Sequence, residues 1–467
     1  MGLFLSVLYF VTCYLTPATI FGPLAAARVE LILAVLVLLI SLPALARSFT
    51  LKTPQSLALI GLALAAFLSV LIAVRWPTGA VRAFLGFIPN AFAYFLVCLH
   101  CNSKKKLQTL VLMLLFVCLF VIANGCIAFL RGVPDAPRHN MDSLEVVPLP
   151  LEATTIPYLH AMRSEAGELF YRLRGLGEIN DPNDFGQLLV CVIPLVFIFW
   201  RRKRVFRNLV FVILPACVLL YGTFLTHSRG ALLALLAIAV VAARRRIGTL
   251  PALLISGGVF VAAMALNFTG GRGISAEAGT DRTGLWGAGL QLLKSHPLFG
   301  VGLGSMPDLT DSHLTAHNSV VVCAAELGFF GLYFWCMFLF PTLRDALTVA
   351  SPEKVNEAEQ IISEARQFPL ATKEIAAVDK AEINRLGQLL VLSLTGFLVA
   401  GWFLSRAFVM TFFLLGGMVE VIYQMALERG MIVPRLRLGR VFPYAGGLAV
   451  SLVLMMYLML RILNLIR

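Results

Sequence analysis

Uncharged apolar runs about 20 residues long recur from one end of this 467-residue chain to the other. No water-soluble fold has room to bury so many of them. A hydrocarbon layer about 30 Å thick takes about 20 residues of helix to cross. Candidate spans lie near 2–21, 29–46, 55–74, 80–99, 107–130, 183–200, 205–225, 228–243, 249–268, 317–341, 386–404, 407–427 and 441–463. Pro17 and Pro23 punctuate the first, so the expected number is 12 or 13. With 59% hydrophobic and 13% charged residues, the expected fold class is an all-α polytopic membrane protein. Met1 to Phe21 lacks the basic start and small-residue cleavage site of a signal peptide and reads as a retained span.

The placement of Lys and Arg orients the spans. With the N-terminus in the cytoplasm, the inner loops carry Arg47 and Lys52, Lys104 to Lys106, Arg201-Arg202-Lys203-Arg204 with Arg207, and Arg244 to Arg246. Six more fall within 342–385, followed by Arg429, Arg435, Arg437 and Arg440. These make up 23 of the 38 basic residues, mostly in short loops, as the positive-inside rule requires. The net charge of +13 therefore reports topology. No soluble basic face exists to bind nucleic acid. The nine cysteines fall almost wholly in apolar segments, where Cys is a small hydrophobe, and imply no disulfide framework. Cys98-x-x-Cys101 with His100 is a lone pair at a helix end, weak as a metal motif.

In chain order, residues 1–130 read as a transmembrane scaffold and 131–182 as a first outer loop. That loop holds Tyr171-Arg172-Leu173-Arg174-Gly175 and ends at Asp181-Pro182, a capping side chain followed by Pro at the first helical position. Central spans fill 183–268. Only 13 apolar residues run from Ala231 to Ala243 before Arg244, so a full crossing takes in part of Thr226-His227-Ser228-Arg229-Gly230. This draws Arg229 to the outer rim, facing either a protein cavity and an anionic partner or the lipid headgroups. The main outer loop, 269–316, contains an amphipathic helix over 283–295 that fits the membrane surface. A span over 317–341 opens with His317. Residues 342–385 alternate in charge and read as a solvated cytoplasmic hairpin, and 386–467 hold the C-terminal spans. The sequence contains no internal repeat.

Eight of the nine lysines lie inside, yet the outer loops carry Arg131, Arg138, Arg163, Arg172, Arg174, Arg229, Arg272, Arg282 and Arg406. Orientation does not require them. Arginine's planar fork binds phosphate oxygens in pairs and keeps its charge when partly desolvated, which points to a phosphate-bearing ligand. Pairing with Asp135, Glu165, Glu168, Glu178 and Asp281 is the alternative, and explains the preference for Arg over Lys less well. His317, at the outer interface, is placed to take a proton from a hydroxyl, a role worth about 10²- to 10⁴-fold in rate. Two rivals stand beside it: a residue that only ties a helix end to a loop, and a metal site of Asp308, Asp311, His313 and His317. Glu326, deeper in the apolar segment, needs hydrogen bonds or a proton and reads as structural glue.

His317-Asn318 followed by nine residues and Gly328 (HNSVVVCAAELG) resembles the histidine motif of O-antigen ligases, membrane glycosyltransferases that join O-antigen to lipid A-core. Thr226-x-Ser228-Arg229-Gly230, Asp281-Arg282 with Trp286, and Arg174-Gly175 before Asp181-Pro182-Asn183 resemble the wider O-antigen ligase and polymerase superfamily. The resemblance runs from about 170 to 425, with Gly331 departing where the ligase motif often has threonine. It implies a GT-C-like helical fold in the bacterial inner membrane and a periplasmic site. It implies an undecaprenyl-diphosphate-linked glycan as donor and lipid A-core as acceptor, with no cofactor, metal or nucleotide sugar. His317 is then the catalytic base, Arg229, Arg282 and Arg174 hold the donor diphosphate, and Asn318, Asp281 and Trp286 support them. A polymerase, a protein oligosaccharyltransferase and a transporter of the lipid-linked glycan remain alternatives.

Overall fold

Helix propagates wherever apolar residues run on, and breaks where Pro, Gly or a capping side chain competes for the backbone. The computed structural model describes residues 1–21, 28–47, 53–131, 157–163, 169–265, 268, 276–351, 370–432, 435 and 438–466. Asp135, Arg138, Glu165, Glu168, Arg272 and the 352–369 part of the expected cytoplasmic hairpin lie outside them, as do the side chains of Arg163 and Asp281. The helices are α1 (Gly2–Leu15), α2 (Val29–Arg47), α3 (Pro54–Ser69, extended by a π-helical turn Val70–Val74), α4 (Pro77–His100) and α5 (Lys104–Arg131). They continue as α6 (Pro182–Val196), α7 (Val205–Leu225), α8 (Arg229–Ile247), α9 (Thr249–Ala265) and α10 (Ala276–Ser295). The last four are α11 (Ser319–Ala350), α12 (Leu370–Gly401), α13 (Met410–Glu428) and α14 (Leu438–Ile466).

Among the described residues nine helices are long and apolar enough to cross a membrane: α3 to α7 and α11 to α14. The chain is an all-α polytopic membrane protein. The other four candidate spans are also helical but shorter or more charged. α1 stops at Leu15 because Thr16 turns left-handed (φ 37°) before Pro17, while α2 and α9 have short apolar stretches. α8 has the length but ends in Arg244-Arg245-Arg246. The expected cytoplasmic hairpin has arms continuous with spans, since α11 runs on to Ala350 and α12 begins at Leu370. A feature absent from the sequence reading is the antiparallel hairpin of β1 (Leu159–Arg163) and β2 (Leu169–Leu173), paired from Leu159 with Leu173 to Arg163 with Leu169.

By contacts the chain forms two units that do not follow chain order. One comprises Met1–Ser6, Ala34–Gln108 and Ile274–Arg467, the other Val7–Leu33 and Thr109–Gly273. In the first, α11 is buried over most of its length against α3, α12 and α14, and α13 packs on α4. Phe397 stacks on Phe412 at 5.0 Å, and Phe338 meets Phe412 and Phe413 edge-on at 5.0 and 5.1 Å. Such offset and edge-on pairs are the arrangements that the ring quadrupole favours. α14 instead exposes Val450, Leu454, Leu458 and Ile462, as a lipid-facing helix does.

α11 is broken at Gly328 (φ 65°, ψ −167°). The break deprives the Ala325 and Glu326 carbonyls of their helical donors, Phe329 and Phe330, and loop 297–302 takes up all four groups. Val301 and Gly302 donate to Ala325 O and Glu326 O (3.0 Å each), while Phe329 and Phe330 donate to Pro297 O (2.8 Å) and Leu298 O (3.1 Å). Interrupted helix survives at membrane depth only when its backbone is satisfied in this way. A Cβ on Gly328 would sit 2.5 Å from Leu298 C and O, in a backbone conformation that L-residues avoid. Gly328→Ala is accordingly expected to cost well over about 1 kcal/mol. Thermal unfolding in detergent checks this, and an unshifted transition would contradict it.

Near the other end of α11 from Ser319, Arg435 joins two helices. It bonds Asp345 of α11 (Nε to Oδ2, 2.8 Å), grips Glu420 of α13 through both terminal nitrogens, and lies 4.2 Å over the Tyr423 ring. Gln55 of α3 donates to the same Asp345 oxygen at 3.0 Å. Burial opposes the Arg435 charge, but Glu420 and Asp345 more than offset it and raise its ionisation above the ordinary arginine value.

Candidate active site

The first unit carries His317 and Arg282; the second carries Arg174 and Arg229. Each set is held by its own scaffold.

In the first unit α11 does not begin at His317. Asn318 is extended and caps the helix, its Oδ1 accepting from the N–H groups of Val320 (2.9 Å) and Val321 (3.1 Å). The expected span 317–341 opening with His317 is corrected to Ser319–Ala350, because an Asn side chain competes best for the free N–H groups of a first turn. His317, half-buried, lies one residue outside the cap in the left-handed region (φ 47°). That conformation costs a non-glycine residue about 1–2 kcal/mol, so neighbouring bonds must hold it. Trp286 Nε1 donates to Ala316 O at 2.8 Å, and the His317 N–H donates to Ser405 Oγ at 2.9 Å. Ser405 Oγ is also 2.5 Å from Thr315 Oγ1. Asn318 Nδ2 donates to Trp402 O (3.0 Å), Ser319 Oγ to Leu404 O (2.8 Å), and the Arg406 N–H to Ser319 Oγ (3.2 Å).

Segment 402–406, between α12 and α13, is thus laid along 315–319. The sequence reading missed it apart from Arg406, since none of its contacts is local in the chain. Trp286, expected as a supporting residue, bonds the residue before His317 and packs with Met306, Ala316, Val321, Val322 and Ala325. Its ring meets Trp402 edge-on at 6.4 Å.

α10 begins at Ala276, seven residues before the expected 283, and carries Arg282 half-buried. Loop 297–306 then joins α10 to the His317 turn. The backbone N–H groups of Gly304 and Met306 bond the Glu326 carboxyl, which is 3% exposed, and Leu303 donates to Ser69 Oγ at 3.2 Å. Glu326 therefore pins the loop whose Met306 packs beneath Ala316, a structural role matching its sequence reading. Among the described residues no three His, Cys, Asp or Glu side chains are placed to hold a metal ion. His313 is exposed in the loop, and His100 Nε2 lies 2.8 Å from Ser41 Oγ.

In the second unit β2, the start of α6 at Asp181-Pro182-Asn183 and the Thr226–Gly230 turn meet around Arg172, which is 2% exposed. Its Nε donates to Thr226 O and its Nη2 to Asn183 Oδ1, both at 2.8 Å, and its Nη1 lies 3.7 Å from Met162 Sδ. One guanidinium ties β2 to the start of α6 and to the turn before α8. Asp181 caps α6, accepting from the Asn183 N–H at 2.7 Å, as the Asp-Pro pair predicts. Thr226 Oγ1 donates to Thr223 O (2.7 Å) and accepts from the Ser228 N–H (3.3 Å), closing α7; Ser228 Oγ accepts from the Ala231 N–H (3.3 Å), opening α8. Gly186 lets α6 approach this turn, since a Cβ there would lie 3.2 Å from both Ser228 Cβ and Thr226 Oγ1.

Arg229 is consequently the first residue of α8, where the helix dipole disfavours a cation unless an anion shares the site. Arg174 follows β2, its N–H donating to Tyr158 O at 2.9 Å. Burial lowers its pKa and Asp181 opposes that shift. The site residues thus fall into two prepared sets, a histidine turn and an arginine turn.

Residues 216–336 match the sequence model of a family described as O-Antigen ligase. The match takes in the Thr226 to Gly230 turn, α10 with Arg282 and Trp286, loop 297–306, and the first half of α11. No curated protein matches the chain.

Proposed function

We propose that this chain, which carries an O-antigen ligase domain at residues 216–336, transfers glycan from undecaprenyl diphosphate to a sugar hydroxyl of lipid A-core at the periplasmic face of the bacterial inner membrane. The family match supports a membrane enzyme of the O-antigen ligase and polymerase type. The reading of its chemistry rests on the turn around His317, a half-buried histidine held in a costly backbone conformation at the mouth of a span. Strain of this kind concentrates where a side chain must be aimed.

In the proposed step His317 takes the proton of the acceptor hydroxyl, and the oxygen attacks the anomeric carbon from the face opposite the diphosphate. The carbon–oxygen bond to the diphosphate breaks, its electron pair leaves with undecaprenyl diphosphate, and the anomeric configuration inverts. Arg229 and Arg282, with Arg174, hold the diphosphate and stabilise the charge it gains, as fixed positive groups do in a partly dehydrated site. Because that group leaves readily, no metal is required.

The test is reconstitution of the purified chain with undecaprenyl-diphosphate glycan and lipid A-core. The expected product is glycosylated lipid A-core with inverted linkage, formed equally with and without chelator. Glycan chains lengthening on the lipid carrier would make the enzyme a polymerase, glycosylated protein an oligosaccharyltransferase, and carrier movement without a new linkage a transporter. In cells, loss of the gene should leave bare lipid A-core with polymer retained on the carrier; core bearing a single repeat would instead indicate a polymerase.

A further inference from the structure

Three successive residues of the histidine turn are each fixed from outside their own segment. Thr315 is bonded through its hydroxyl to Ser405, Ala316 through its carbonyl to Trp286, and His317 through its N–H to Ser405 again. Ser405 therefore brackets the turn, one oxygen bonded on either side of Ala316. Its own place is set by its neighbours, because Trp402 O and Leu404 O accept from Asn318 and Ser319 and the Arg406 N–H returns a bond to Ser319. Asn318 and Ser319 position the start of α11. Of the bonds described here, the one that fixes the His317 backbone nitrogen, and with it the φ of 47°, is the bond to Ser405.

We infer that Ser405 is a positioning residue for glycosyl transfer: its hydroxyl holds His317 in the left-handed conformation from which the imidazole meets the acceptor hydroxyl. This rests on the reading of His317 as the base. A side chain leaving a left-handed backbone points elsewhere than one leaving an extended or helical backbone. Removing the Ser405 acceptor takes away this hold on the His317 backbone and shifts its ring toward those commoner conformations. Misplacement of about 1 Å costs about 10²-fold when a reaction depends on alignment. Binding of the lipid-linked donor, which the arginines provide, is untouched. The role of Ser405 is thus separable from mere packing, because packing needs the volume of the side chain and positioning needs its oxygen.

The full-length protein in detergent or nanodiscs, with undecaprenyl-diphosphate glycan and lipid A-core, provides the test. Ser405→Ala is expected to lower kcat about 10- to 100-fold while the KM for donor stays within about twofold, and Ser405→Thr, which keeps the oxygen, to recover most of kcat. A wild-type kcat in Ser405→Ala overturns the inference, as does a change confined to KM. An equal loss in Ser405→Thr and Ser405→Ala also overturns it, since shape rather than the hydroxyl would then matter. Should Ser405→Ala not fold, Ser405→Cys, similar in volume but a poor acceptor, is read by the same criteria. His317→Ala run alongside separates the two levels. If it transfers glycan normally, the base assignment falls and this inference with it; if it is dead while Ser405→Ala is fully active, only the Ser405 role falls.

Discussion

His317→Ala is expected to fold, to retain the lipid-linked donor and to form no glycosylated lipid A-core. A positioned general base contributes about 10²- to 10⁴-fold, or about 3–5 kcal/mol of transition-state stabilisation, and its loss falls on kcat. The fold is expected to survive because the neighbouring bonds do not need the imidazole: Trp286 holds Ala316, Ser405 holds a backbone N–H, and Asn318 caps α11. Alanine tolerates a left-handed backbone poorly, so His317→Asn is the sharper variant. Asn accepts that conformation readily but offers no base. Both variants should be equally inactive in single-turnover assays, with donor affinity within about twofold of wild type by equilibrium binding. Arg282→Ala should differ from them in losing donor affinity as well as rate. Full transfer by His317→Asn would remove the histidine from the chemistry and leave it as a tether between helix and loop.

The spans were readable from sequence because the bilayer imposes one length and one polarity on them. The starts of α6 and α8 were readable too, since Asp181 and Ser228 act within three residues of themselves. What the sequence withheld was whatever depends on distant segments. Gly328 stands in the histidine motif without a stated reason until loop 297–302 is placed against α11. There the glycine is a break in a buried helix whose freed groups find partners well upstream, Phe329 with Pro297 and Phe330 with Leu298, Ala325 with Val301 and Glu326 with Gly302. Trp286 could be picked out as part of a motif, but its bond to Ala316 spans 30 residues. Ser405, 88 residues from His317, carries no local signal. The β1–β2 hairpin was hidden for another reason: its strands are five residues each, in a loop whose charge and prolines dominate the pattern.

Arg172 illustrates the same limit and carries the second large effect. The sequence offers Arg172 and Arg174 as equivalents two residues apart, and family resemblance favours Arg174. In the fold they differ: Arg174 is half-buried near Asp181, whereas Arg172 is nearly inaccessible and its fork is engaged by Thr226 O and Asn183 Oδ1. Arg172→Ala leaves both acceptors without these bonds and opens a hole between β2, α6 and the turn before α8. Hydrogen bonds from a charged donor are worth about 1.5–3 kcal/mol each, so the loss should be roughly 3 kcal/mol or more. Arg172→Lys should rescue little, because an ammonium cannot span two acceptors with a planar fork. Hydrogen exchange is expected to rise in 169–185 and 224–231 while α11 and α13 stay protected. Transfer should fall in parallel, because the turn that opens α8 with Arg229 and the strand that leads into Arg174 are joined through this one side chain. If instead Arg172→Ala keeps wild-type exchange and loses only donor binding, Arg172 touches the substrate itself, and the division between a holding arginine and the arginines it holds is wrong.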